Sequence, residues 1–194
     1  MTGASGAVYG IRMLEVLKEA GVETHLVVSK WAEETIKLET ARTISEVRKL
    51  ATHWYDESDL AAPISSGSLK SLGMVVVPCS VRTLSSIANG FSHNLIARAA
   101  DVTLKERRRL VLVVRETPLS SIHLENMLRV TRAGAIVMPP NPAFYMKLAS
   151  VDDLVDCFVG RVLDLFGVEH GLRCRWQAPL TRNEEPVEAQ HGPE

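Results

Sequence analysis

No stretch of this sequence approaches the roughly 18 consecutive apolar residues of a membrane-spanning helix, and its start lacks the basic-then-apolar layout of a signal peptide. Excess charge of one sign is also missing. Lys and Arg number 22 against 23 Asp and Glu, a formal net charge of -1, so neither nucleic acid nor an anionic membrane is expected as the main partner. Cysteine is sparse: Cys79, Cys157 and Cys174 form an odd, scattered set without a CxxC pair. That argues against a disulfide frame or a zinc site and points to reduced thiols in a cytoplasmic protein. GxGxxG and Walker loops are absent, which argues against a standard dinucleotide site or an NTPase. HExxH is absent too; His123 and Glu125 in "HLENM" read as helix residues, and no two-histidine-plus-carboxylate cluster is evident. No required metal is expected.

What is present is an ordinary globular composition, 46% hydrophobic over 194 residues, enough for one domain with a substantial core. Apolar runs and helical patterns alternate. "IRMLEVLKEAG" reads as a helix stopped at Gly21, "VETHLVVS" as a strand and "WAEETIKLET" as a helix. The next strand is "MVVVP", then come the helix "NLIARAADVTLKE" and the strand "RLVLVVRE", apolar enough for burial on both faces. "SSIHLENMLRVTRAG" is a helix and "AIVMPP" a last short strand. "SVDDLVDCFVGRVLDLFG" is the best-marked helix, opened by a Ser150–Asp153 capping box and closed by Gly167. The expected fold is α/β, a three-layer Rossmann-like (flavodoxin-like), mainly parallel sheet with helices on both faces. Residues 1–180 form the single domain, and the polar stretch 181–194 is a frayed tail.

In such a sheet, ligands bind beyond the carboxyl ends of the strands. Five stretches fall there: "TGASG", the Ser29 turn, "PCSVRT", "RETPLSS" and "PPNPAFY". Gly3, Ala4, Ser5 and Gly6 can bring backbone amides and a hydroxyl to a phosphate, or form a tight turn in which Ser5 caps a helix. Ser80 and Thr83, flanking Val81 and Arg82, repeat the theme, with plain N-capping as the alternative. Cys79 reads as a packing residue. Arg115 and Glu116 end a buried strand, where a carboxylate can relay a proton or form a structural pair with the arginine. Glu39 would ordinarily be surface decoration. Arg98 and Lys105, seven apart, share one helix face and can hold an anion together; "KERRR" alone is more often solvated. Tyr145, behind rigid prolines, is aimed into a cleft or packed. Arg161 lies at the edge of its helix's apolar stripe.

Together these pieces resemble the flavin prenyltransferase (UbiX-like) family, in its order: "MTGASGAVYG", "THLVVSKWA", "ISSGS", "PCSVRTLSSIANG", "RAADVTLKERRRLVLVVRETPLSSIHLENM", "PPNPAFY" and "VDDLVDCFVGRVLD". "VETHLVVSKWA" and "AAPISSGS" lean toward the decarboxylase-associated branch, the small components of hydroxyaryl (phenolic) acid decarboxylase systems. The resemblance implies that reduced FMN and dimethylallyl phosphate are bound without metal and that the prenyl group is joined to flavin N5 and C6. The product, prenylated FMN, serves UbiD-type aromatic acid decarboxylases. Gly3, Ala4, Ser5, Ser29, Ser80, Val81, Arg82, Thr83 and Arg115 would hold the flavin. Arg98, Lys105, Tyr145 and Arg161 would form the prenyl-phosphate pocket. Glu116, with Ser5 and Glu39, would carry the catalytic roles, Glu116 as proton relay and Glu39 as a supporting acid.

The family also implies a homo-oligomer, typically a trimer-based dodecamer with active sites at subunit contacts. Where relatives often carry a Trp before "SGS", this chain reads "DLAAPISSGS"; with only 5% aromatics, stabilisation of an allylic cation would fall more on the flavin itself. Relatives also carry a short apolar strand immediately before "TGASG" that this sequence does not have, so a truncated or mis-assigned start is expected. Two other readings stay open: a protein that decarboxylates aromatic acids directly, and a non-catalytic FMN-binding module.

Overall fold

The computed structural model describes residues 1–146 and 148–172, which leaves the expected 181–194 tail outside the described residues. The elements run α1 (Ala7–Glu19), β1 (His25–Val27), α2 (Lys30–Glu39), α3 (Ile44–Arg48), β2 (His53–Tyr55), β3 (Gly73–Cys79), α4 (Val81–Ala88), α5 (Leu95–Lys105), β4 (Arg109–Val114), α6 (Ser121–Arg132), β5 (Ile136–Val137) and α7 (Val151–Phe166). All pairings are parallel, as βαβ connections require.

The apolar run of β4 organises the layers because successive side chains alternate between faces. Leu110, Leu112 and Val114 pack with Leu84 and Ile87 of α4 and with Leu95, Ile96 and Ala100 of α5. Val111 and Val113 pack on the opposite face with Met13 and Val16 of α1 and Val155, Phe158, Val159 and Val162 of α7. Both faces are covered, the three-layer α/β arrangement expected. α7 carries the anticipated capping box, with Ser150 accepting from the Asp153 amide and Asp153 accepting from the Ser150 amide, and ends at Gly167.

The strands fall into two hydrogen-bonded groups, β1–β2 and β3–β4–β5. Met1 and Thr2 join them. The Met1 amine donates to Val27 O (2.7 Å), the Ser29 amide to Met1 O (3.1 Å), and the Thr2 amide to Pro78 O (3.2 Å). Beneath this joint a cavity of about 730 Å³ separates β1 from β3, with Leu14, Leu26, Val75, Val77, Ile96 and Val102 among its walls.

Two elements that the sequence patterns do not announce, α3 and β2, fill the interval before β3, and the helix expected to open at the Ser80–Thr83 loop is the short α4. The expectation of three reduced thiols holds for Cys79, which is free and buried, with desolvation pushing its pKa up to about 12. It fails at Cys157, a buried residue of α7 that is disulfide-bonded. Scattered spacing does not reveal which thiols the fold brings together. No helix among the described residues is long and apolar enough to cross a membrane.

β3 begins where its backbone passes unusually close to β4. A Cβ on Gly73 would lie 2.2 Å from Arg109 O, and Gly73 sits at φ +147, a conformation L side chains rarely adopt. Gly73→Ala is expected to cost about 2 kcal/mol, lowering the thermal unfolding midpoint by roughly 4–8 °C.

Candidate functional site

Four helices, α1, α2, α4 and α6, begin at the carboxyl edge of the sheet, each with backbone amides unpaired within its first turn. Three start on a serine cap. Ser29 accepts from Ala32 N (3.2 Å), Ser80 from Thr83 N (3.3 Å), and Ser120 from His123 N (3.3 Å). His123 returns the bond by accepting from Ser120 N (3.3 Å), so it is the hydrogen-bonded helix residue expected. Ser80 and Thr83 hydroxyls lie 3.2 Å apart. Their N-capping is real, and it also points the positive end of α4 at the same edge as α1 and α2.

α1 is capped differently. Its N-cap is Gly6, not Ser5, and the missing side-chain acceptor is supplied by Glu39 from the end of α2. Glu39 oxygens accept from Gly6 N (2.9 and 3.2 Å) and from Ala7 N (2.8 Å). Glu39 is therefore neither surface decoration nor remote from the candidate site: it fixes the turn that the glycine-rich loop enters. Ser5 is left exposed, and among the described residues the Gly3 and Ser5 amides have no protein partner, whereas Ala4 N donates to Thr2 O (2.9 Å). Those two amides can hold an anion, and the phosphate of FMN fits such donors beside the helix starts. Gly3 is required sterically, since a Cβ there would lie 2.4 Å from Trp31 Cβ at the start of α2.

Thr2, absent from the sequence-derived candidates, ties the loops into one edge. Its buried hydroxyl donates to Pro78 O (2.8 Å) and accepts from Ser80 N (2.8 Å). Arg115 N donates to Cys79 O (3.2 Å), so the Ser29, Thr2–Ser5, Ser80–Thr83 and Arg115–Glu116 segments are laced in sequence across the sheet. The only advance sign is its position directly before the glycine-rich loop. Arg115 is exposed and Glu116 half-buried, with a Glu116 oxygen accepting from Thr117 N (3.0 Å); no Arg115–Glu116 ion pair occurs among the described residues.

The remaining cations are not gathered in one chain. Arg98 donates to Ser65 O (3.2 Å) and Asp101 (2.8 Å), Lys105 pairs with Glu106, and Arg161 donates to Asp164 (2.8 Å). α5, which carries Arg98 and Lys105, covers the face opposite to α7, which carries Arg161. Tyr145 stands 66% exposed in a short 3-10 turn, Phe144–Met146.

Away from this edge the structure corrects one expectation. Glu23, His25 and His53 do form a two-histidine-plus-carboxylate cluster. Sequence reading missed it because His53 belongs to a strand, β2, that the pattern did not announce.

A glycine-rich turn and serine-capped helix starts at the carboxyl edge of a parallel sheet define a phosphate-binding class of α/β fold, and the flavoprotein family model (Flavoprotein) matches residues 1–163. The chain belongs to this family and, within it, to the UbiX-like flavin prenyltransferases. It is 56% identical over 176 residues to the probable UbiX-like flavin prenyltransferase of Bacillus subtilis strain 168, covering 91% of this chain and 86% of that one. Among solved structures, AnUbiX (PadA1) in complex with FMN and dimethylallyl pyrophosphate superposes with a TM-score of 0.90 at 60% identity, covering 92% and 95% of the two chains. The dodecameric FMN-dependent UbiX-like decarboxylase of Escherichia coli O157:H7 gives 0.88 at 51% identity, with 92% and 100% coverage.

The capping role makes a prediction about Glu39. Glu39→Ala is expected to destabilise by about 1 kcal/mol, roughly 2–4 °C in the thermal midpoint, and to weaken FMN binding measured by fluorescence titration. Glu39→Gln, which keeps an acceptor oxygen, is expected to recover most of both.

Proposed function

We propose that the chain joins a dimethylallyl group from dimethylallyl phosphate to N5 and C6 of reduced FMN, supplying prenylated FMN to a UbiD-type aromatic acid decarboxylase in the cytoplasm. The observation that carries this reading is the laced edge: free Gly3 and Ser5 amides flanked by the α2 and α4 N-termini, in a chain closely similar to one solved with both FMN and a dimethylallyl donor. FMN acts as the prenyl acceptor and presents N5 and C6 as the carbon-accepting positions.

The protein's part is charge placement. As the donor's C–O bond breaks, negative charge accumulates on the leaving phosphate, and Arg98, Lys105 and Arg161 neutralise it as fixed cations. Tyr145 closes the same pocket. Bond formation at N5 and at C6 each releases a proton, and closing the ring consumes one at the prenyl double bond; Glu116 and the departing phosphate are the groups that carry them, the net proton leaving on the phosphate. Gly3, Ala4, Ser5, Ser29, Ser80, Val81, Arg82, Thr83 and Arg115 hold the acceptor in register with the donor. Because α5 and α7 lie on opposite faces, the complete pocket draws on a second copy of the chain. The exposed apolar side chains Ile122, Leu124 and Leu128 of α6 fit a buried contact between copies, and the Escherichia coli relative is dodecameric.

The decarboxylase name of that relative favours one further reading, direct decarboxylation. The two separate cleanly. Anaerobic incubation with FMN, reductant and dimethylallyl phosphate, with the diphosphate in parallel, is expected to release flavin heavier by one C5 prenyl unit on mass spectrometry. Glu116→Gln and Arg161→Ala are expected to lower that yield at least tenfold while FMN stays bound; unchanged yields would sink the assignment of these residues. Conversion of 4-hydroxybenzoate to phenol with no UbiD-type partner present would overturn the transferase reading, and bound but unmodified FMN would leave only the binding module.

A further inference from the structure

At the opposite end of the sheet from the laced edge, β1 and β2 begin with a matched pair of histidines. His25 and His53 are direct partners in the parallel ladder, so their side chains leave the same face, and their rings stack at 4.9 Å with 26° between planes. Both Nε2 atoms face one oxygen of Glu23, His53 at 3.1 Å and His25 at 3.5 Å. The ligand atoms of all three residues lie within 4.8 Å of one another.

The hydrogen bonding around His25 gives the arrangement its chemistry. Tyr55, two residues beyond His53 and therefore on the same face, places its hydroxyl 2.9 Å from His25 Nδ1 and its ring parallel to the imidazole, 5.8 Å away and 4° inclined. Two tautomers satisfy this contact: the phenol donating to Nδ1 with Nε2–H donating to Glu23, or Nδ1–H donating to the phenol oxygen, which puts the lone pair at Nε2, directed at the Glu23 carboxylate. The second tautomer presents two acceptors across a short gap, the arrangement that a cation fills. Metal-bound imidazoles are commonly held in this way, by a donor–acceptor partner on the far ring nitrogen.

We propose that Glu23, His25 and His53 bind one divalent transition-metal ion of the zinc type, with water completing the coordination. Bonds of roughly 2.0–2.2 Å to nitrogen and oxygen place tetrahedral ligand atoms about 3.3–3.5 Å apart. The two histidine–carboxylate separations bracket or meet that spacing, and rotation of the half-exposed His53 and exposed Glu23 closes the third edge. Two imidazoles and one carboxylate select zinc, nickel or copper over magnesium or calcium, which prefer all-oxygen shells. Ser29 lies four positions beyond His25, roughly 13 Å along extended chain. The ion is thus remote from the flavin edge. It acts as a clip that holds the three-residue strand β2 against β1, and it takes no part in prenyl transfer.

The test uses untagged full-length protein stripped with a chelator and titrated with zinc against a chromogenic chelator. One zinc per chain is expected, with a rise in thermal midpoint on loading, and the cobalt form is expected to show the intense visible bands of a four-coordinate site. His53→Gln and Glu23→Gln, both at solvent-accessible positions, are expected to weaken zinc binding at least tenfold. Tyr55→Phe, which removes the hydrogen bond but no ligand, is expected to weaken it about tenfold. Circular dichroism and prenyl transfer are expected to match the parent for His53→Gln. Absence of stoichiometric zinc at tens of micromolar free metal, or binding indifferent to His53→Gln and Glu23→Gln, would overturn the proposal.

Discussion

The hydroxyl of Thr2 is the joint on which the functional edge depends. Among the described residues the two strand groups share no ladder, and along the carboxyl edge they meet through an extended dipeptide whose main chain bonds to Val27 and Ser29 on one side and to Pro78 on the other. Thr2 completes the connection by donating to Pro78 O while accepting from Ser80 N, two bonds of 2.8 Å made by one buried oxygen. A buried hydroxyl with both roles filled is worth keeping, because removing it strips the Ser80 amide of its acceptor, while Pro78 O keeps the Thr2 amide. Its positional consequence is larger. The glycine-rich turn and the α4 start are set relative to each other through this one residue, which brings donors from separate βα units to one edge.

The distribution of charge at that edge follows from the same use of donors. Glu39 occupies the Gly6 and Ala7 amides, which would otherwise be the first anion-binding groups of α1. A carboxylate there satisfies the helix start without a ligand and keeps the turn formed when the site is vacant. It also repels a phosphate from the axis of α1. In the proposed site the anion is therefore directed to the loop amides of Gly3 and Ser5 and toward α2 and α4, whose own serine caps are neutral. An off-axis phosphate site of this kind needs neither a dinucleotide nor a Walker fingerprint, although it would use the same physics.

What the sequence makes legible divides by length and burial. α7 announces itself through sixteen periodic residues, a capping box and a terminal glycine, and β4 through an uninterrupted apolar run. Both are long and buried, so composition follows position. β2 is three residues, His53-Trp54-Tyr55, exposed over the first two; neither alternation nor apolarity marks it, and its place is fixed by pairing with β1. The Glu23–His25–His53 cluster was invisible for the same reason. Motif reading placed the loop serines beyond the strand ends, but their partners were out of reach. That Ser80 caps a helix while Ser5 does not, and that Glu39 caps a helix other than its own, depends on contacts between segments distant in sequence.

The cations of the proposed donor pocket show why a single chain leaves that chemistry incomplete. Arg98 is engaged with Asp101, Lys105 with Glu106 and Arg161 with Asp164, each within its own helix or at its end. Such exposed pairs are weak, since water screens both partners and two long side chains lose freedom to meet. They are holding positions. A phosphate enclosed between copies of the chain offers a doubly charged acceptor in a drier setting, where charge-assisted hydrogen bonds are stronger, so it outcompetes the local carboxylates. In the proposed pocket, assembly would do more than stabilise the fold: bringing α5 of one copy to α7 of another would turn three separately neutralised residues into one field for the leaving group.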